Sequence, residues 1–121
     1  MRVYIAGRFE AQHRLRVMRD LVEALGHEVV GTWLDEESTS DPTEAEALEY
    51  AVRDFGEIRA CDLFILDTLD ENLRGGREAE YGYAWGVGKV TLIVGPRRNV
   101  FHTLAEKQVE EWPAALQWLM V

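Results

Sequence analysis

The sequence predicts a small α/β domain of the doubly wound, Rossmann- or flavodoxin-like kind, with a parallel sheet of about five strands and helices on both faces. Two observations carry that expectation. Short apolar, β-rich runs alternate along the chain with segments whose apolar residues recur every three or four positions, and such alternation yields right-handed crossovers and a parallel sheet. The length of 121 residues suits one core, because single domains of about 100 to 150 residues are the commonest size. One domain spanning residues 1–121 is therefore expected.

The elements follow in order. RVYIA (residues 2–6) is a short apolar run closed by Gly7, the pattern of a buried first strand. Leu15, Met18, Leu21, Val22 and Leu25 then recur at helical steps, with Gly26 directly after them as a C-terminal stop. HEVVGTWL, from His27 to Leu34, reads as a second strand. The acidic stretch DEESTSDPTEAEA reads as a loop entering a helix, with Asp41 at the cap and Pro42 in the first turn. Leu48, Ala51, Val52, Phe55 and Ile58 share one helical face, and Asp62 opens the third strand, LFIL. A glycine-rich turn, a helix, a fourth strand KVTLIVG (89–95) and the loop PRRNVFHTL follow. A weak strand around Lys107 to Glu110 and a helix from Trp112 to Met120 end the chain.

Composition narrows the function classes. With 47% hydrophobic and 29% charged residues, the chain has the make-up of a soluble globular protein rather than a disordered one. A net charge of -9 argues against nucleic-acid polymers and anionic membranes as partners, since both attract a positive field. No stretch approaches the roughly 18 to 20 apolar residues of a membrane span, and the N-terminus lacks a signal-peptide core. Cys61 is the only cysteine, so no intrachain disulfide forms and a reducing, cytoplasmic location is expected. His13, His27 and His102 lack ligand spacing, so neither a metal nor a cofactor is expected.

In a doubly wound sheet, ligands bind beyond the carboxyl ends of the strands. That directs attention to Gly7–Glu10, Asp67–Gly76 and Gly95–His102. Gly75-Gly76 before a helix permits positive φ and close approach of a ligand to the backbone, beside the partial positive charge of a helix N-terminus. Tight strand-to-helix connections also use glycine for purely steric reasons. Glu78 and Glu80 stand two apart, on nearly opposite sides of a helix that turns roughly 100° per residue. Only one of them faces a crevice easily. Asp54 lies on the flank of an apolar helical face, and Tyr4 interrupts an apolar strand. Taken singly, each suits a boundary carboxylate and a core aromatic.

Together, VYIAGRF (3–9), RDFGEIRACDLFILDT (53–68), RGGREAEYGYAWGVGK (74–89) and TLIVGPRRNVFHTL (91–104) resemble the nucleoside 2-deoxyribosyltransferase family and its relatives, the deoxynucleoside monophosphate N-glycosidases. The resemblance covers most of the chain. It implies cleavage of the N-glycosidic bond of 2'-deoxynucleosides or their 5'-monophosphates, with transfer of the deoxyribosyl group to a base or to water. The family motif E-x-G-x-A falls on Glu80-Tyr81-Gly82-Tyr83-Ala84, so the resemblance implies Glu80, not Glu78, as nucleophile. It also implies Tyr4 as the residue orienting Glu80, Asp54 as a sugar-positioning or proton-shuttling carboxylate, and Phe9 as the base-stacking ring. Near a helix N-terminus the ionised form of Glu80 should be favoured. Gly7, Arg8, Arg74, Gly75, Gly76 and Arg77 are expected around sugar and phosphate. Six residues before the nucleophile the deoxyribosyltransferases carry an aspartate, where this chain has Arg74, and the serine-containing phosphate loop of the N-glycosidases is not reproduced. Arg8, Arg74 and Arg77 are candidate replacements on a 5'-phosphate. The family's loop after strand four reaches a neighbouring subunit's site, which implies Asn99 and His102 as contributors in trans. A homodimer or larger homo-oligomer is expected, as the small-residue helix, Trp112 and Trp118 also suggest.

Two other readings compete with this one. DLFILDTLDENLRGG has the look of a phosphorylatable receiver with Asp67 at the strand end, but a receiver needs an acidic pair after strand one, where Gly7-Arg8 stand. A non-catalytic nucleotide-binding sensor would use the same pocket as an enzyme. Retention of Tyr4, Asp54 and Glu80 together favours catalysis.

Overall fold

A computed structural model describes residues 1–37, 41–71 and 74–120. Strands β1 (Arg2–Ala6), β2 (Glu28–Val29), β3 (Leu63–Asp67), β4 (Val90–Val94) and β5 (Lys107–Val109) alternate with helices α1 (Gln12–Ala24), α2 (Glu44–Ala60), α3 (Gly76–Gly86) and α4 (Trp112–Leu119). The strands form one five-stranded sheet, all parallel, in the order β2-β1-β3-β4-β5. The winding direction reverses between β1 and β3, and the crevice beyond that switch point is where ligands bind such sheets. The doubly wound α/β architecture is as the sequence predicts.

The central strands carry the core. All of β3 is buried, as are β1 and β4 apart from their first residues. Strands covered on both faces lose the polar alternation of half-exposed sheets and read as continuous apolar runs. Tyr4 of β1 stacks on Phe64 of β3 with ring centroids 5.6 Å apart. At the end of β3 the buried Asp67 carboxylate accepts two hydrogen bonds from Arg14 (2.8 and 3.2 Å), one from Trp112 Nε1 (2.7 Å) and one from the Leu69 N–H (3.0 Å). Asp67 thus anchors α1 and α4 to the sheet, and those bonds leave the phosphorylatable-receiver reading no free carboxylate.

Four local expectations are corrected. The second strand pairs only through Glu28 and Val29, and residues Thr32–Asp35 form a 3-10 turn. Gly31 packs against the Tyr4 ring, where an added Cβ would meet ring carbons at 3.2 and 3.3 Å, and Trp33 turns inward to donate to the Ile5 carbonyl at 2.7 Å. Helix α2 is capped by Thr43 rather than Asp41. The Thr43 hydroxyl accepts the Glu46 N–H at 3.1 Å and the Glu46 carboxylate accepts the Thr43 N–H at 3.0 Å, a reciprocal box that pairs two otherwise orphaned donors. Residues 38–40 of the preceding acidic loop lie outside the described residues. The apolar face assigned to α2 is only partly used: Ile58 is buried, Phe55 stacks on Tyr83 at 4.1 Å, and Leu48 and Val52 stay 65% and 64% exposed. Finally, Trp112 is buried and Trp118 packs on the core, so both tryptophans serve the protomer itself.

Candidate active site

Three elements bring Tyr4, Asp54 and Glu80 together. Tyr4 is fully buried in β1, and its hydroxyl donates to Glu80 Oε2 at 2.8 Å. Glu80 lies in the second turn of α3, and Asp54, from α2, faces it closely enough to form a hydrogen bond. Burial, and then the charge of Asp54, push the Glu80 carboxyl up to about 8, against the lowering effect of Tyr4's hydrogen bond. This overturns the expectation that the helix end keeps Glu80 ionised. The dipole effect fades within the first turn of a helix, and Glu80 lies beyond it in a desolvated site. Burial likewise raises Tyr4, helped by the Glu80 and Asp54 charges, so the phenol remains a donor. Burial raises Asp54 too, while its arginine neighbour Arg53 opposes the rise.

Arg53 is a site residue that sequence reading missed. It donates to Asp54 Oδ1 from Nε (3.2 Å) and Nη2 (2.8 Å), and to Glu36 Oε1 from Nη1 (3.0 Å). Its partner Glu36 follows the turn after β2, and no short-range pattern links it to Asp54. The only local hint was the Arg53-Asp54 dipeptide itself.

These groups open on a cavity of about 250 Å³ at the carboxyl ends of β1, β2 and β3. Gly7 to Glu10 line it above β1, Trp33 and Glu36 beyond β2, Arg74 and Gly76 at the entry to α3, and Asp54 and Glu80 within it. Tyr4 reaches the cavity through Glu80. Phe9 is 37% exposed and sits 6.3 Å from the Trp33 ring, which gives one wall an aromatic surface. Arg8 lines the cavity with its Nε bonded to Glu10 at 3.0 Å.

The two glycines separate in role. Gly75 has φ 81° and ψ -2°, a left-handed conformation that costs other residues about 1–2 kcal/mol. Gly76 is the first helical residue and lines the cavity, and an added Cβ would meet nothing within 4 Å. The turn therefore requires Gly75, whereas Gly76 leaves room for a ligand.

Arg77 is placed differently from Arg8 and Arg74. Its residue borders the cavity, but its guanidinium is buried, with Nη1 donating to the Asp67 carbonyl at 3.2 Å. Nε and Nη2 have no hydrogen-bond partner among the described residues. Asn99 and His102 do not join the Glu80 cavity of their own protomer. His102 is fully buried and lies 2.8 Å from Glu78 Oε2 through Nε2, its Nδ1 accepting the Arg98 N–H at 3.0 Å. Asn99 Nδ2 donates to the same Glu78 oxygen at 3.3 Å. Glu78 and Glu80, two residues apart, thus serve opposite sides of α3. Among the described residues no cluster of three metal-binding side chains forms, and no helix is long and apolar enough to cross a membrane.

Several solved structures share this architecture. The 2-deoxyribosyltransferase of Bacillus psychrosaccharolyticus superposes with a TM-score of 0.81 at 17% identity, covering 96% of this chain and 90% of that one. A CMP N-glycosidase of Clostridium botulinum gives 0.69 at 20% identity over all of both chains. A conserved protein of Enterococcus faecalis V583 gives 0.71 at 16%, covering 98% and 96%. At such identities these likenesses speak for the fold. No curated protein sequence matches the chain. The family assignment comes from the sequence itself, which matches the nucleoside 2-deoxyribosyltransferase model over residues 3–112, and the chain belongs to that family.

Proposed function

We propose that the protein cleaves the N-glycosidic bond of 2'-deoxynucleosides or their 5'-monophosphates, passing the deoxyribosyl group to water or to another base. The observation that carries this reading is the Tyr4–Glu80–Asp54 constellation opening on a cavity with an aromatic wall. Cleavage develops positive charge at C1', which a carboxylate on one face stabilises or captures. In the reaction the C1'–N bond breaks and a Glu80 Oε–C1' bond forms. The departing base takes the proton held between Glu80 and Asp54, with Asp54 as the donor. Tyr4 donates to Glu80 and steadies the anion as its proton leaves, and Arg53 does the same for Asp54. Water or an incoming base then attacks C1', giving its proton to the Asp54 carboxylate as the Glu80 Oε–C1' bond breaks.

Arg8 and Arg74 line the cavity beside the N-terminus of α3, which suits an anionic 5'-phosphate. Monophosphates are accordingly the better substrates in this reading. Leu48, Val52 and Trp85 stay exposed on α2 and α3, which supports a homodimer or larger assembly, read out by the mass in solution.

The test is release of free base from a panel of deoxynucleosides and monophosphates, with and without an acceptor base, followed by chromatography. Glu80→Ala should abolish release. Activity in that variant equal to wild type, or no release from any substrate, rejects the mechanism. Binding without turnover would support a sensor.

A further inference from the structure

Resting on that reading, we infer that Glu36 selects substrates whose base carries an exocyclic amino group. The strand order arranges the cavity's chemistry in sequence. Arg74 and Gly76 stand beyond β3, Gly7 to Phe9 beyond β1, and Trp33 and Glu36 beyond β2 at the far side. Arg74 and the N-terminus of α3 therefore stand to one side of β1, and Trp33 and Glu36 stand to the other, with Glu10 on the first side already paired to Arg8 at 3.0 Å. A phosphate placed beside Glu36 would meet like charge. The base belongs at that end.

Glu36 is held there firmly. Gln12 Nε2 donates to the Trp33 carbonyl at 2.6 Å and to the Glu36 carbonyl at 2.8 Å, which fixes the backbone of the segment to α1. Arg53 Nη1 takes Glu36 Oε1 at 3.0 Å, and among the described residues no hydrogen bond reaches Oε2. The side chain is 17% exposed, so a base lying there would shut out most of the remaining water. A carboxylate accepts hydrogen bonds and donates none. The amino group of cytosine or adenine supplies the matching N–H, the pairing carboxylates make with cytosine on nucleic acids. The corresponding oxo bases, uracil and hypoxanthine, set a carbonyl oxygen against the carboxylate, leaving two acceptors facing each other. A site built to hydrogen-bond one substrate group rejects the analogue lacking it strongly. Partial exposure reduces that to a preference of about 10- to 100-fold.

The experiment compares kcat/KM within matched pairs, dCMP against dUMP and dAMP against dIMP, for wild type and Glu36→Gln. An amide both donates and accepts and keeps the acceptor for Arg53. Wild type should favour the amino member of a pair at least about 10-fold, and Glu36→Gln should bring the ratio within about 3-fold. A wild-type ratio near one in both pairs, or an unchanged ratio in the variant, overturns the assignment. Calorimetric Kd values for the same nucleotides on Glu80→Gln, with and without Glu36→Gln, separate this inference from the proposed reaction. If no base is ever released but dCMP still binds more tightly than dUMP in a Glu36-dependent way, the reaction fails and the Glu36 assignment stands. Equal affinities, or no binding of any of the four, overturn it.

Discussion

Replacing Glu80 with glutamine should abolish turnover and at the same time stabilise the fold in alkaline solution. The two effects have one cause, the burial of a carboxyl group beside a second acid. The folded protein holds the Glu80 proton up to about pH 8, whereas the ordinary value is 4.5. Between those limits unfolding releases a proton, so wild-type stability is fully present below 4.5 and is lost as pH rises through about 8. At roughly 1.36 kcal/mol per pH decade, the ceiling on this loss is about 5 kcal/mol. Glu80 keeps a partial opening to the cavity, and screening by water there lowers the expected gain in Glu80→Gln to about 1–3 kcal/mol at pH 8–9. The gain should vanish near pH 4.5, where both proteins are neutral at this position. Urea unfolding of both proteins from pH 4.5 to 9, with m-values compared, measures the difference directly. A difference in stability that does not change with pH would refute the reasoning, because it would mean that Glu80 has the same proton affinity folded and unfolded.

Tyr4→Phe removes the hydrogen bond that lowers Glu80's proton affinity. It should reduce kcat by about 10- to 100-fold and move the limb of the pH–rate profile that requires ionised Glu80 upward. An unmoved limb would exclude Tyr4 from this role. Gly75→Ala, at φ 81°, should cost about 1–2 kcal/mol in chemical denaturation. Gly76→Ala has open space for its Cβ and should leave stability unchanged or raised by up to about 1 kcal/mol, while raising KM for a monophosphate. Equal stability losses at the two glycines would contradict the division between them. Asp67→Ala strips Arg14, Trp112 Nε1 and the Leu69 N–H of a buried acceptor. It should cost about 3–5 kcal/mol in urea unfolding, and a loss below 1 kcal/mol would show that Asp67 is no anchor.

Legibility in the sequence followed the range of the interactions involved. β1, β3 and β4 were readable because burial on both faces leaves runs of apolar residues that no surface segment imitates. The Gly26 stop was readable because it is a local backbone requirement, and φ 96° there meets it. Thr43 had its signal in Thr-x-x-Glu, which the neighbouring Asp41-Pro42 obscured. The second strand was overextended because its apolar residues, Trp33 and Leu34, are buried by a turn instead of a sheet, and hydrophobicity alone does not distinguish the two.

The candidate site divides the same way. Tyr4, Asp54 and Glu80 could be picked out from sequence because motif spacing and resemblance mark them one by one. Helical geometry alone was enough to place Glu78 and Glu80 on different sides of α3. Arg53 and Glu36 are 17 residues apart, and their pairing at 3.0 Å exists only once α2 and the turn beyond β2 meet. Whether an arginine faces a ligand or the interior is equally a tertiary matter. Arg74 and Arg77 flank the same glycines, yet only Arg74 keeps its side chain at the exposed rim, while that of Arg77 is buried. The protonation of Glu80 is a tertiary matter for the same reason, since burial and the Asp54 charge set it. The sequence by itself determined which strands are buried, where the glycine turn lies and which glutamate the family motif marks, because these depend on composition and on backbone conformation over a few residues. Tertiary structure alone decided the proton affinities, the arginine that serves Asp54 and the carboxylate at the far end of the cavity, because desolvation and charge pairing depend on which groups distant in the chain are packed together.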